Sequence, residues 1–329
     1  MDRRLFIQGA SGLVAAASIE RLGAQTPSVP AVKTVRTNIL EIGYHESGAA
    51  DGVPVILLHG FPDDAHAYDG VGPSLAKAGY RAFAVYLRGY GPTRFLDPAA
   101  PRTAEQAAIG QDVIDFADAL RLPRFVVAGF DWGGRAAGVA AALHPDRVRG
   151  AVLVGGYSIQ NTVTPAGAAP PEAVRRLWYQ WYFNTDAGRT GLEQNRRGLC
   201  ELMWREWSPT WRFSEEMYNL TATSFDNPDF VDCVIHSYRH RNLNAPGEPR
   251  FLETERQLAK RPPILVPTIA LHGADDAFGR PAAAITTGER TTLPKLIDKR
   301  IVEGAGHFVP HEKPDAVTTA ILDLLDATK

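Results

Sequence analysis

The sequence alternates short apolar runs with helix-like segments, and this alternation restricts the fold more than any other feature. Five runs are short, continuous and apolar: 53–58, 81–86, 125–128, 151–154 and 268–271. The helix-like segments cover residues 73–78, 104–120, 135–143 and 314–327. Short apolar runs fit strands that are buried on both faces, and strands that alternate with helices favour a parallel, doubly wound sheet. Functional residues are therefore expected in the loops that follow the strands.

The alternation stops between residues 159 and 261. This stretch has no clear buried strand, and it contains five of the six tryptophans, at positions 178, 181, 204, 207 and 211. We interpret it as a helical cap inserted into an α/β core that comprises residues 32–158 and 262–329. The tryptophans are expected to form a roof over a pocket for a small apolar or aromatic substrate.

Composition and the N-terminus limit the partners and the location of the protein. The formal net charge of the 329 residues is −2 with no long basic run, which argues against nucleic acid as a partner. No stretch after the N-terminus approaches the roughly 20 apolar residues of a membrane span, so stable membrane insertion is not expected. Arg3 and Arg4 precede a weakly apolar stretch that ends near Ala24. Residues 1–24 resemble a twin-arginine export signal, which predicts a periplasmic or secreted protein.

The two cysteines leave two interpretations open. An oxidising compartment would permit a disulfide between Cys200 and Cys233, but the sequence does not show that the two meet. Two small buried apolar side chains explain them equally well.

The stretch GFDWGG at 129–134 follows the third apolar run and places an aspartate at the centre of a sharp turn. The pattern of small residue, any residue, nucleophile, any residue and small residue is that of a nucleophile elbow, in which the central residue is strained and exposed at the sheet edge. This predicts Asp131 as a nucleophile with the Trp132 backbone N–H beside it. An ordinary N-cap aspartate is the alternative.

Three further motifs follow predicted strands. The stretch HGFP at 59–62 can direct the Phe61 backbone N–H at the same point and form an oxyanion hole with Trp132, while His59 ties the loop down. Two acids, Asp275 and Asp276, follow the run at 268–271. His307 lies in a glycine-rich loop after an apolar run at 296–302.

Together these motifs carry a family resemblance. The chain resembles an α/β-hydrolase of the epoxide hydrolase group over nearly all of its length after the predicted signal. The stretches that carry this resemblance are HGFP at 59–62, AGYRAFAVYLRGYG at 78–91, GFDWGG at 129–134, HPDRVR at 144–149 and GAGHFVPHEKP at 304–314.

The resemblance implies a fold and a reaction. The fold is the α/β-hydrolase fold, a mostly parallel doubly wound sheet with an inserted helical cap. The reaction opens an epoxide to a vicinal diol through an ester on Asp131, which His307 and Asp276 then help to hydrolyse, and it needs no metal or organic cofactor. Asp276 is preferred over Asp275 because the family acid comes three residues after a glycine, here Gly273.

The predicted cap supplies two candidate phenols. Epoxide hydrolases hold the epoxide oxygen with two tyrosines, one of them in a Tyr-Gln-x-Tyr-Phe stretch and the other before an arginine. The stretch at 179–183 and Tyr238, which precedes Arg239, match these patterns. The resemblance therefore implies Tyr179 and Tyr238 as proton donors, whereas packing within the cap is the ordinary alternative for an aromatic residue.

Dehalogenases share this core and its aspartate nucleophile, so a haloalkane or haloacid dehalogenase stays open as an alternative. Fluoroacetate dehalogenases have His-Trp in place of Tyr179 and Gln180, and arginine in place of Trp132. Arg135, however, matches one of their carboxylate-binding arginines. An esterase and a non-catalytic ligand-binding protein are less consistent with an aspartate nucleophile and a complete Asp131, His307 and Asp276 set.

Overall fold

A computed structural model describes residues 31–329, and the predicted export signal at 1–24 lies outside the described residues. The described strands belong to one nine-stranded sheet. They are β1 (Val32–Arg36), β2 (Leu40–Ser47), β3 (Pro54–Leu58), β4 (Arg81–Val85), β5 (Arg94–Phe95), β6 (Phe125–Phe130), β7 (Val148–Val154), β8 (Thr268–Gly273) and β9 (Leu296–Val302).

The sheet combines a parallel body with an antiparallel edge. Its order is β1-β2-β4-β3-β6-β7-β8-β9, and β5 pairs with β2. The six strands from β4 to β9 along this order are parallel, and β1, β2 and β5 pair antiparallel. The α/β-hydrolase architecture expected from the sequence is confirmed, and each of the five apolar runs lies in a parallel strand. The antiparallel strands were not predicted.

Helices cover both faces of the sheet and form the segment between β7 and β8. The core helices are α1 (Val71–Lys77), α2 (Gln106–Ala119), α3 (Asp131–Leu143), α10 (Thr287–Thr292), α11 (Val309–Glu312) and α12 (Pro314–Ala327). The inserted helices are α4 (Pro171–Arg176), α5 (Trp178–Phe183), α6 (Asp186–Trp207), α7 (Glu215–Ala222), α8 (Phe230–Arg241) and α9 (Leu252–Ala259). Three short 3₁₀ turns complete the helical part: Ala65–Tyr68, Thr223–Asp226 and Pro249–Phe251. As described, the segment between β7 and β8 contains no strand.

The parallel strands bring four loops to one edge of the sheet. Every residue of β6 is buried, because its neighbours β3 and β7 pair with it on either side and helices cover both faces. The carboxyl ends of β3, β6, β8 and β9 lie at the same edge because these strands run in the same direction. The loops that follow them carry the motifs singled out in the sequence. Cys200 and Cys233 are both buried and are not bonded to each other.

No helix of the described part of the chain is long and apolar enough to cross a membrane.

Candidate active site

Asp131 lies at a strained turn between β6 and α3. Its φ of 49° is in the left-handed region, which non-glycine residues rarely adopt and which is found at functional sites. The turn packs directly against β3, since a Cβ on Gly133 would lie 2.1 Å from the Leu58 carbonyl oxygen. Only glycine fits there. The sequence predicted that this helix begins at residue 135, and in the structure it begins four residues earlier, at Asp131 itself.

Two backbone N–H groups point at the Asp131 carboxylate. The Phe61 N–H donates to Asp131 Oδ1 at 2.8 Å, and the Trp132 N–H also hydrogen-bonds to this carboxylate. The loop after β3 comes close enough because Gly60 has no side chain: a Cβ there would lie 2.3 Å from the Asp131 Cβ. The structure thus brings the two predicted oxyanion-hole donors to the predicted nucleophile.

His59 holds the loop that presents Phe61. The side chain is fully buried, and its Nε2 accepts a hydrogen bond from the Leu87 N–H at 3.0 Å. Nδ1 therefore carries the proton and donates to the Gly60 carbonyl at 2.9 Å. Burial lowers the pKa of His59 to about 4, so the imidazole is neutral. Its two hydrogen bonds hold the loop in place.

His307 connects the nucleophile to a second carboxylate. Its Nδ1 lies 3.0 Å from Asp276 Oδ2, and its Nε2 lies 3.6 Å from Asp131 Oδ2. The Phe278 N–H donates to the other Asp276 oxygen at 2.9 Å and orients this carboxylate. Asp275 instead accepts a hydrogen bond from the Thr210 hydroxyl, so Asp276 is the acid that contacts the histidine.

The two carboxylates determine the charge of the histidine. Burial alone would lower the pKa of His307, but the charges and hydrogen bonds of Asp276 and Asp131 raise it to about 10. Burial alone would likewise raise the pKa of Asp131, but His307 and the two backbone N–H groups lower it below its ordinary value of 3.8. At neutral pH the site therefore contains an imidazolium between two carboxylates.

This charge state predicts the titration of His307. Because its pKa lies above 6.5, the imidazole should stay protonated as the pH rises from 6 to 8. Imidazole ¹⁵N NMR, with the His307 signal assigned by its loss in His307→Gln, measures this directly. In Asp131→Asn one of the two carboxylate charges that raise the pKa of His307 is lost, so the midpoint of the His307 titration should fall. A wild-type midpoint near 6.5 would contradict this description of the site.

The two predicted phenols lie together on a cavity that Asp131 also lines. Tyr179 of α5 is 3% exposed, Tyr238 of α8 is 1% exposed, and their ring centroids are 5.5 Å apart. Each phenol oxygen accepts a hydrogen bond: Gln180 Nε2 donates to Tyr179 at 3.0 Å, and Trp132 Nε1 donates to Tyr238 at 3.2 Å. Neither hydroxyl donates its proton to any residue within 31–329.

Both phenols are neutral at physiological pH. Burial is the main cause that raises the pKa of each one above 10, and the Asp131 charge acts in the same direction. Each side chain is therefore fixed by an accepted hydrogen bond and keeps a proton that it can donate to another molecule.

The predicted residues surround one cavity of about 230 Å³. Asp131, His307, Tyr179 and Tyr238 line it. The sequence did not predict six other lining residues: Ala173, Arg176, Leu177, Gln180, Arg241 and Phe278. Gln180 and Arg241 could have been suspected, because one is adjacent to Tyr179 and the other lies three residues after Tyr238 on the same helix face.

The expected tryptophan roof is wrong as a description of this cavity. None of the five cap tryptophans lines it. Trp204 and Trp207 are buried behind the site, where Trp207 packs against Tyr179 and His307 with ring centroids 4.8 and 5.2 Å apart. Trp204 packs against Trp211 and Phe308, so neither tryptophan faces this cavity.

Known proteins resemble this chain over most of its length. The family model described as alpha/beta hydrolase fold matches residues 53–314. A crystal structure of a candidate epoxide hydrolase from Klebsiella pneumoniae is 40% identical, covers 89% of this chain and 96% of its own, and superimposes with a TM-score of 0.85. Epoxide hydrolase 3 of Siraitia grosvenorii is 34% identical over 89% of this chain and 97% of its own length. The bifunctional epoxide hydrolase 2 of Rattus norvegicus is 24% identical, and the chain spans 58% of its length.

Proposed function

Since the chain belongs to the α/β-hydrolase family and resembles its epoxide hydrolases, we propose that it opens an epoxide to a vicinal diol through an ester on Asp131. The observation that carries this proposal is the pair of buried phenols, Tyr179 and Tyr238, on the same cavity as the Asp131 carboxylate. A carboxylate and two proton donors on one small cavity match the two reacting atoms of an epoxide, an electrophilic carbon and an oxygen that becomes basic.

The first step joins the carboxylate to carbon. Asp131 is ionised because its pKa is lowered, and it attacks a saturated ring carbon without help from a base. The carbon–oxygen bond of the ring breaks, and the ring oxygen takes a proton from Tyr179 or Tyr238. A phenol can donate that proton because an alkoxide is far more basic than a phenolate. Hydrogen bonds from Gln180 and Trp132 stabilise the phenolate that forms.

The second step removes the ester. Esterification cancels the negative charge of Asp131, and this removes one of the two charges that raise the pKa of His307. The histidine then loses its proton more readily, and this proton passes through solvent to the phenolate and restores the phenol. The neutral imidazole takes a proton from water, with Asp276 holding its Nδ1–H. Water attacks the carboxyl carbon of Asp131, and the N–H groups of Phe61 and Trp132 stabilise the oxyanion. The bond between the Asp131 carboxyl carbon and the alkyl oxygen then breaks, the hydroxyl gained from water gives its proton to the departing oxygen, and the diol leaves with one Asp131 oxygen.

The rival activities use the same core differently. A dehalogenase needs donors for a departing halide and no proton donor for an oxygen. In this protein the Trp132 Nε1–H already donates to the Tyr238 oxygen. This favours a role in orienting the phenol over a role in binding a halide. An esterase would attack a carbonyl carbon, for which a carboxylate is a poor nucleophile.

The two phenols are tested by removing both hydroxyls. In a Tyr179→Phe and Tyr238→Phe double variant, diol formation from styrene oxide should fall by about 10² to 10⁴-fold, because no proton donor remains for the ring oxygen. Diol release is measured by chromatography under saturating substrate.

Tyr182→Phe is the matched control. Tyr182 packs against Trp178 and Phe183 in α5 but does not line the cavity, so this variant should keep nearly the wild-type rate. Diol formation by the double variant within threefold of wild type would overturn the role of the phenols. Release of halide from 1-chlorobutane by the wild-type protein, without a diol from any epoxide, would establish the dehalogenase alternative.

A further inference from the structure

Arg135 is a buried guanidinium with unused donors on the catalytic cavity. It lies four residues after Asp131 in α3, which places both on one face of the helix, and it is 8% exposed. Its Nε donates to the Ser158 carbonyl at 3.1 Å, and its carbon Cζ lies 4.3 Å from the centre of the Trp132 ring. Neither Nη atom has a hydrogen-bond partner among the residues described, and the side chain lines the cavity.

Two more arginines line the same cavity. Arg241 is half-buried, lies 5.9 Å from the Trp132 ring, and has no hydrogen bond or salt bridge within the described chain. Arg176 is exposed at the margin of the cavity. Three guanidinium groups therefore face a cavity whose lining includes a single carboxylate, that of Asp131.

This arrangement is unfavourable without a further anion. Burial and, after it, the nearby positive charge of Arg241 lower the pKa of Arg135 to about 9, yet the group remains charged at neutral pH. The guanidinium stacks on Trp132 and donates one hydrogen bond, from Nε, so the N–H groups on its two Nη atoms have no partner in the described chain. Buried charges are ordinarily paired with an opposite charge. Ester formation would also remove the charge of Asp131, the one carboxylate in the cavity lining.

We propose, as an extension of the proposed function, that the substrate is an epoxide that carries a carboxylate near the ring and that Arg135 binds this carboxylate. A planar guanidinium with two free Nη atoms fits a carboxylate through paired hydrogen bonds. Arg241 supports the same anion from α8. The small volume of the cavity, about 230 Å³, favours a carboxylate within a few bonds of the reacting carbon. This proposal departs from the apolar or aromatic substrate that the sequence predicts.

Matched substrates test the proposal. The wild-type protein should show a kcat/KM for 3-phenylglycidate and for 3,4-epoxybutanoate about 100-fold above that for the corresponding carboxamides, which have nearly the same shape but no charge. Equal values for acid and amide, or a preference for the amide, would overturn the proposal.

Three variants locate the effect. In Arg135→Met the ratio of kcat/KM for the acid to kcat/KM for the carboxamide should fall close to 1. In Arg135→Lys, which keeps the charge but loses the planar pair of donors, this ratio should be intermediate. The ratio is the readout because general damage to the fold affects both substrates alike. Arg256→Gln removes the same charge from an exposed arginine of α9 that pairs with Glu253, and it should leave the ratio unchanged. An unchanged ratio in Arg135→Met would overturn the assignment to Arg135.

Binding to Asp131→Asn separates this proposal from the proposed function. Calorimetry with this variant measures recognition without turnover, and 3-phenylglycidate should bind about 100-fold more tightly than its carboxamide. Preferred binding of the acid together with halide release from chloroacetate, and no opening of any epoxide, would refute epoxide hydrolysis but support the anion site. Turnover of styrene oxide without preferred binding of the acid would refute only the anion site.

Discussion

An Asp131→Asn variant is expected to open epoxides at least about 10⁴-fold more slowly than the wild-type protein. An amide is a neutral and weak nucleophile, so the ester cannot form at a useful rate. The fold should survive, because asparagine is among the residues that best tolerate a positive φ, and Asp131 has a φ of 49°. Diol formation under saturating substrate measures the loss, and circular dichroism checks the fold.

Asp275→Asn is the matched control for this loss. Asp275 adjoins Asp276 on the same loop, makes the same change from acid to amide, and contacts Thr210 instead of His307. Its rate should stay within about threefold of wild type, as is usual for substitutions outside the site. A rate for Asp131→Asn within tenfold of wild type would mean that this carboxylate is not the nucleophile.

A His307→Gln variant should carry out the first step and stop at the second. The Asp131 carboxylate needs no base to attack the ring carbon, whereas water needs His307 to attack the ester. The kcat should fall by about 10³-fold or more. Intact-protein mass spectrometry should then show one added substrate mass on each molecule, with a peptide map that places it on Asp131.

His144→Gln is the control for the histidine. His144 is the C-cap of α3, and Asp131 lies at the other end of this helix. The same substitution at His144 should therefore give neither an adduct nor a large loss of rate. An inactive His307→Gln protein without an adduct would mean that the histidine takes part before the ester, or that no ester forms.

The positions of the candidate catalytic residues of the core could be predicted because each of them follows a parallel strand. The runs at 53–58, 125–128, 268–271 and 296–302 each form a parallel strand, and each is followed by a loop with glycine and a polar or ionisable group that could take part in the reaction. Parallel strands place such loops together, so spacing along the chain was enough to predict that Asp131 and His307 meet. The antiparallel strands β1 and β5 escaped prediction because β1 is mostly exposed and β5 has only two residues.

The cap was harder to predict for a physical reason. Its helical character follows from the absence of apolar strand patterns, but a short amphipathic helix does not show which neighbours its faces will meet. Trp207 and Tyr179 are both buried aromatic residues, and only the packing shows that the tyrosine faces the cavity. Arg241 belongs to no motif, and only its spacing of three residues from Tyr238 on α8 could have suggested that it lines the cavity.

The central claim is that the oxygen added to the epoxide comes from Asp131 and not directly from water. A single turnover in H₂¹⁸O, with protein in excess over styrene oxide, tests this most directly. The predicted diol contains no ¹⁸O after one turnover, because water attacks the Asp131 carboxyl carbon and its oxygen stays on the protein. A tryptic peptide containing residue 131 should then be heavier by one ¹⁸O atom. A first-turnover diol with one ¹⁸O, and an unlabelled peptide, would contradict the ester mechanism.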